Sequence, residues 1–393
     1  MGSEQHFKRS RREPRAGKVE ALLDAKLKGV EWGEFRIGDL FEKINLRFKK
    51  SIFDKGKDIS KTKSSEFNLP LVNAKDGDNG IMYYGREKDF ESIKMSIDIV
   101  NDGAISTGNV YSQPQKTGVL YNAYLIKPKF DVNEISLHFL TSTTRKSIKH
   151  KFGYENKAGW IKVKTEKIQL PTKNNKIDFE FMENFIAELE AQKIARLEAY
   201  LVENGLKEYC LSDEEEAVLK NLSNIEFQDF QVVDIFDVRN SGNILSRDIV
   251  VDSGDVPYLC ASSENNAVSS YISYDDKYLD KGDCVFIGGK TFVVTYQEKD
   301  FYSNDSHNLI LHLKEKEDKN KLTQLFLATC VNKSLGYKYS WGDSISNRKI
   351  QKDTVSLPTK NNQPDYALMK TLISAVQKLV VKDVVLYVEG KRS

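Results

Sequence analysis

The stretch LPTKNN occurs twice, at Leu170–Asn175 and at Leu357–Asn362, and each copy runs into an aspartate and an apolar pattern of helical period. The offset between Leu170 and Leu357 is 187 residues, and the same offset holds far outside the phrase. Lys162 falls on Lys349. NEISLHFLTSTTRKS from Asn133 falls on NKLTQLFLATCVNKS from Asn320, setting Phe139 on Phe326, Leu140 on Leu327, Lys146 on Lys333 and Ser147 on Ser334. Further back, LPLVNA meets VPYLCA, with Pro70 on Pro257 and Ala74 on Ala261, and Asn79 meets Asn266. Upstream the register slips, as a loop of changed length would cause, and EWGEFRIGDLFEKIN (Glu31–Asn45) answers EFQDFQVVDIFDVRN (Glu226–Asn240). KVEALLDAKLKG near the start echoes RLEAYLVENGLK at Arg196–Lys207. The period is too long for a solenoid of short repeats, so one large unit is used twice.

Each unit has the same internal order. An opening of the form F-x-(I/V)-x-D-(L/I)-F leads into β-branched and aromatic clusters with Gly and Asn turns, such as DIVNDGAIST and GDCVFIGGKTFVVTY, which read as short strands. A helix follows at NEISLHFL or NKLTQLFL, then a basic segment and a closing strand that Leu-Pro is expected to stop, with Asn-Asn making the turn. A long helix comes last. In the first copy Met182, Phe185, Ile186, Leu189, Leu197 and Leu201 recur mostly at helical steps, with Asp178 placed to cap the start and Gly205 the end. In the second copy Met369, Leu372, Ile373, Val376, Leu379, Val380 and Val384 form the equivalent stripe.

Two readings of these stripes stand side by side: each helix packs on its own unit, or the two helices pair. Glu188, Glu190, Lys193, Arg196 and Glu198 leave much of the first helix charged, and a long helix with one apolar seam favours a partner helix. The expected fold is therefore α/β (α+β), with two repeated globular domains joined by two long helices packed as an antiparallel coiled coil with pseudo-two-fold symmetry. The boundaries expected are an N-terminal arm and short helix over 1–30, a first domain over 31–175, and a first spacer helix over 176–207. A linker with a short helix over 208–225, a second domain over 226–362 and a second spacer helix over 363–393 complete the chain. A helix of roughly 28 residues is about 42 Å long, or about 12 base pairs of B-DNA, a separation that suits two readers of a split site.

The composition bounds the function. The chain has 393 residues, 40% hydrophobic and 30% charged, enough for two or three domains with real cores and not the signature of disorder. No apolar run is long enough for a membrane span, and MGSEQHFKRSRREPRAGK is too basic and polar for a secretion signal, so a cytoplasmic protein with a basic arm is expected. Cys210, Cys260, Cys284 and Cys330 are widely spaced without a Cys-x-x-Cys pair, which fits a reducing compartment and excludes a zinc ribbon. A net charge of +2 leaves nucleic-acid affinity to local patches.

Catalytic signatures are missing. There is no Pro-Pro or Pro-Cys motif of a DNA methyltransferase, and Pro364-Asp365, the only Pro-Asp, opens a helix rather than a nuclease core. GDCVFIGGKT tempts as a phosphate loop, but the position six residues before Lys290 holds Cys284 where glycine is required, so a strand turning at Gly288-Gly289 is expected, with Lys290 available to a DNA phosphate. No metal or cofactor site is expected in this chain. The basic segments carry more. Arg145–Lys167 interleaves Arg145, Lys146, Lys149, Lys162 and Lys164 with Phe152, Tyr154 and Trp160, and the second copy offers Lys333, Arg348, Lys349 and Lys352 with Tyr337, Tyr339 and Trp341. Each run alone reads as a solvated face. Their recurrence at one place in both units points to phosphate contacts on DNA. Phe48–Lys63, where the register slips, reads as a loop peculiar to the first unit.

The duplicated F-x-(I/V)-x-D-(L/I)-F opening, the closing KIQLPTKNN and TVSLPTKNN strands and the helices over Asp178–Gly205 and Asp365–Glu389 together resemble the specificity subunits of type I restriction–modification systems. The resemblance covers nearly the whole chain after the N-terminal arm. It implies that each unit is a target-recognition domain reading one half of a bipartite double-stranded DNA site. It also implies that the helices set the spacing and dock methyltransferase subunits, and that S-adenosylmethionine is bound by those partners and not here. A separate nuclease–translocase subunit, or one partner combining methylation and cleavage, fits equally. A free-standing bipartite DNA-binding or scaffold protein is the alternative. The family has no universal base-reading residues, so none is carried over.

Overall fold

The computed structural model describes residues 16–391, which form two compact units meeting in sequence between Arg196 and Leu197. The arm expected at the N-terminus lies outside the described residues as far as residue 15. The short helix is there, as α1 (Ala16–Gly29).

In the first unit β1 (Glu31–Arg36) and β2 (Phe41–Ile44) flank one helical turn, Ile37–Leu40, whose Ile37 and Leu40 are buried. Then come β3 (Leu69–Val72), β4 (Ile81–Gly85), β5 (Ser96–Val100), β6 (Val110–Gln113), β7 (Ala123–Pro128) and helix α2 (Glu134–Ile148). The single turn α3 (Trp160–Val163) precedes the hairpin β8 (Lys167–Lys173) and β9 (Lys176–Ile177), and α4 (Phe179–Glu203) follows. Strands β2-β7-β5-β6 make an antiparallel sheet. Alternation along β5 turns Ile97 and Ile99 to one face, where they join Val110, Ile126 and the Leu137, Leu140 and Ile148 stripe of α2 in one core. A smaller sheet of β3 and β4 with Ile59–Ser60 and Gly118–Val119 closes around Leu69, Leu71 and Phe90.

The quoted phrase is the hinge between unit and helix. The expectation that Leu-Pro ends the strand is corrected, because β8 runs on through Pro171 to Lys173, paired with β1 at Trp32↔Pro171. The Pro171 carbonyl accepts the Asp178 amide at 2.8 Å. It points away from β1, so the nitrogen that lacks a proton also faces away from that ladder and nothing is left unpaired. Asn174 and Asn175 then take φ of +53° and +61°, the left-handed pair of a two-residue I′ hairpin turn, which asparagine tolerates better than most residues. Asp178 accepts the Phe181 amide at 2.9 Å and starts α4. At the other end Gly205 has φ +64° and the Leu206 amide reaches the Leu201 carbonyl at 2.7 Å, a left-handed helix stop. Because residues 176–177 pair as β9, the helix begins later than the expected 176.

The second unit repeats this plan. Helix α5 (Asp213–Lys220) opens with a reciprocal Ser212–Glu215 capping box and lies in the expected linker. The strands are β10 (Phe227–Gln231), β11 (Phe236–Asn240), β12 (Val256–Leu259), β13 (Val268–Ile272), β14 (Cys284–Gly288), β15 (Val293–Gln297) and β16 (Leu309–Leu313). Helix α6 (Lys321–Leu335), the turn α7 (Asn347–Ile350), the hairpin β17 (Thr354–Lys360) and β18 (Gln363–Pro364), and α8 (Tyr366–Gly390) follow. The sheet order β11-β16-β14-β15 matches that of the first unit. Pro358 repeats the Pro171 arrangement, its carbonyl taking the Asp365 amide at 2.9 Å, and Asn361 and Asn362 are again left-handed. On α8, Ser374 Oγ and Lys378 Nζ donate to the Glu215 carboxylate at 2.6 and 2.9 Å, tying α5 to α8. Burial alone would raise that carboxyl, but these donors and the Ser212 amide outweigh it and bring its pKa to about 2.

One difference runs through the inner strand. Matching sheet register puts Asp98 of β5, opposite Leu125, where Phe286 of β14 stands opposite Ile310. Phe286 sits in an apolar cluster with Leu259, Cys284, Phe301 and Ile310. Asp98 is fully buried with neither carboxylate oxygen hydrogen-bonded, and burial pushes its pKa well above the usual carboxylate range. A side chain at Gly80 would collide with that carboxylate.

Candidate nucleic-acid interface

Each basic segment hangs between a core helix and the closing strand, so its shape is fixed by what its apolar residues bury. In the first unit Ile148, Phe152, Ala158 and Val163 are buried in the core around α2, which leaves the intervening lysines outside. Arg145 and Lys146, in the last turn of α2, are exposed; cations there also complement the helix dipole. Arg145 lies 5.9 Å from the Tyr111 ring centre. Lys164 is exposed beyond α3. Lys146 and Lys164 make no ion pair among the described residues, so both remain available to phosphate.

Other lysines expected at this surface are engaged with the chain itself. Lys149 Nζ donates to the carbonyls of Ile105 and Thr107 at 2.6 and 3.1 Å, and burial lowers its pKa. Lys162 Nζ donates to Asn156 Oδ1 at 2.8 Å.

In the second unit Leu335, Tyr339, Ile345 and Ile350 are buried in the core around α6. Lys333, Arg348 and Lys352 are exposed and make no ion pair among the described residues. Lys349 instead binds the Asp343 carboxylate and the Ser344 carbonyl, the latter at 2.7 Å. The GGKT turn is also occupied: the Gly289 amide donates to Asn308 Oδ1 at 2.9 Å, Thr291 Oγ1 to the Ala261 carbonyl at 2.9 Å, and Lys290 pairs with Asp305 at 2.8 Å. The ten cations thus divide by geometry. Arg145, Lys146, Lys164, Lys333, Arg348 and Lys352 face outward with their charge unmatched, while Lys149, Lys162, Lys290 and Lys349 hold loops.

Sequence reading missed the ion pairs that brace both segments. Lys151 pairs with Glu166, and 187 residues on Lys338 pairs with Asp353, which also accepts the Tyr339 hydroxyl at 2.5 Å. The signal was present in the offset but was hidden by the exchange of Glu for Asp.

The stripe assigned to a paired helix seam is shared. Met182 is buried in the first unit's core, with Phe185 and Ile186 packed against it. Met369, with Leu372 and Ile373, does the same in the second. Leu189 and Leu197 are half-buried and Leu201 is buried. Val376 and Val380 are exposed, as are Leu379, Val384, Leu386 and Tyr387 along α8.

Among the described residues no three His, Cys, Asp or Glu side chains gather as a metal site, and no helix is long and apolar enough to cross a membrane. The four cysteines are free.

Against known proteins, residues 29–199 and 224–380 each match the family model described as the Type I restriction modification DNA specificity domain. The chain is 23% identical over 364 residues to the Type II restriction enzyme BgcI specificity subunit S.BcgI of Heyndrickxia coagulans, covering 90% of this chain and 96% of the relative. Its fold is similar to that of the Type-I restriction-modification system S subunit from M. genitalium, with a TM-score of 0.59 at 11% identity over 92% of each chain.

Proposed function

The chain belongs to the Type I restriction modification DNA specificity domain family, and from that premise we propose that it reads a bipartite, asymmetric double-stranded DNA site, one half with each unit, and docks methyltransferase subunits while itself carrying no catalysis. The observation that carries this reading is the duplication: two units of one plan, each presenting unmatched cations at the same place, Lys146 and Lys333. Catalysis, with S-adenosylmethionine, is assigned to the partner subunits.

The spacer reading assigns α4 and α8 to an antiparallel pair acting as a ruler. Each has 25 residues, about 37 Å of helix. Outside the stripe assigned to that pair, Leu386 and Tyr387 of α8 are also exposed, which supports docking of a protein partner over a free-standing DNA binder. The reading covers both a separate methyltransferase partner and one polypeptide that combines methylation and cleavage.

The test is a tagged pull-down from the native cells, with the co-purified material assayed for S-adenosylmethionine-dependent methyl transfer to DNA and the methylated bases mapped. A methyltransferase partner and two unlike half-sites are expected. A protein that comes down alone, binds DNA and supports no methylation would establish the free-standing binder instead.

A further inference from the structure

The two units agree at a feature that folding does not need. Tyr154 is 75% exposed and Trp341 is 79% exposed, and they occupy the same position under the 187-residue offset. Large aromatic side chains left in water on both copies of a duplicated loop call for a binding role, since neither core gains from them.

Both rings sit at the tips of turns built alike. The Gly153 amide donates to the Asn156 carbonyl at 3.0 Å, and the Ser340 amide to the Asp343 carbonyl at 3.3 Å, with Asp343 returning a bond to Ser340 at 3.1 Å. Lys162 grips the Asn156 side chain and Lys349 the Asp343 side chain. One residue before each turn a buried aromatic, Phe152 or Tyr339, anchors the base, and Tyr339 stacks on Phe292 with centres 5.6 Å apart. The turns are therefore held in shape before any partner arrives, which lowers the ordering entropy of binding.

The surroundings decide the partner. Protein-docking surfaces present contiguous apolar area, whereas these rings stand among cations. Lys157 Nζ, itself paired with Asp102, is 4.6 Å from the Tyr154 ring centre; the segment carrying Tyr154 holds the unmatched Arg145, Lys146 and Lys164, and the segment carrying Trp341 the unmatched Lys333, Arg348 and Lys352. An exposed aromatic ring carried on a basic segment fits a nucleobase with its flanking phosphates. We propose that Tyr154 and Trp341 insert into the DNA and stack on a base, one in each half of the recognised site. Lys162 and Lys349 are then positioning residues that hold the turns. The proposal rests on the DNA-recognition reading above and adds the contact that deforms the duplex.

The test uses the complex isolated with its partner subunits and a duplex carrying the site mapped by methylation. Binding of wild type, Trp341→Ala, Tyr154→Ala and Trp341→Phe is measured across a salt series, with 2-aminopurine placed along each half-site to report unstacking. Each alanine variant is expected to lose on the order of tenfold in affinity with the slope of log K against log salt unchanged, because no phosphate contact is removed. Trp341→Phe is expected to keep most of the affinity. The unstacking signal should vanish in one half-site only for each alanine variant. Wild-type affinity in both alanine variants would overturn the proposal. So would a loss of affinity that follows dissociation of the methyltransferase partner, since the rings would then serve protein docking. Wild type that binds no duplex would bring down the DNA reading itself, and the proposal with it.

Discussion

The two units share a frame and differ in its lining. Strand order, the proline-bearing closing strand, the left-handed Asn-Asn turn and the helix caps are common to both, yet one position on the inner strand holds Asp98 in the first unit and Phe286 in the second. Phe286 adds to an apolar cluster, while Asp98 sits buried with no donor. Duplication preserved what connects unit to helix and released what fills the space behind the loops. The frame is therefore where the fold is specified, and the lining is where the units acquired their differences.

Exchanging the linings is the most disruptive way to probe this comparison. Phe286→Asp should destabilise the second unit by more than about 4 kcal/mol, combining loss of a buried ring with burial of an unpaired carboxyl. Urea unfolding would show its transition separating from that of the first unit; a shift under about 1 kcal/mol would mean that the cluster is wetter than the structure has it.

The converse change, Asp98→Asn, should stabilise the first unit by about 1–3 kcal/mol near neutral pH. The sign follows from the raised pKa. The folded state keeps the proton while the unfolded carboxyl gives it up above about pH 4, so wild-type stability falls as pH rises and the advantage of Asn grows with it. Unfolding midpoints at pH 4 and pH 8 check this, and a difference that does not depend on pH would sink it.

Glu215→Ala should cost the second unit about 1–3 kcal/mol by breaking the α5–α8 tie, whose place in the first unit is taken by an ion pair of reversed sense, Lys26 of α1 with Glu188 of α4. Because the Glu215 pKa is depressed to about 2, this tie is intact above the ordinary glutamate range and is lost as pH falls toward 2. The gap between variant and wild type should close over that range in an acid titration of the unfolding midpoint. The smallest effect contrasts the two kinds of lysine. Lys333→Ala should reduce the slope of log K against log salt for DNA binding by about 1, while Lys290→Ala, whose charge Asp305 already matches, should leave it unchanged.

Much of the frame was legible in LPTKNN and its offset, because proline, asparagine and a following aspartate each dictate a local geometry. The stop at Leu-Pro was misread because sequence does not reveal which way the proline carbonyl points. The helix stripes showed that a face is buried but not against what, and Met182 and Met369 turned out to belong to their own units' cores. Asp98 was invisible for a related reason. In SIDIV it alternates with isoleucines as a solvent-facing strand residue would, and only the fold shows it buried. Among the candidate cations the spacing located two basic segments at one offset. It could not separate Lys164 from Lys162, since that depends on whether Asn156 is within reach.

The pairing of β1 with β8, and of β10 with β17, sets the entry and exit of each unit side by side. Everything between is a closed excursion of the chain whose two ends are already stapled. Lengthening such an excursion costs only about 0.6 kcal/mol per doubling of loop length, and it displaces neither end. The segment Phe48–Lys63, where the register between the copies slips, is a change of this kind already made. Each unit is in this sense an interchangeable cassette, free to be rewritten inside as long as its first and last strands still find each other.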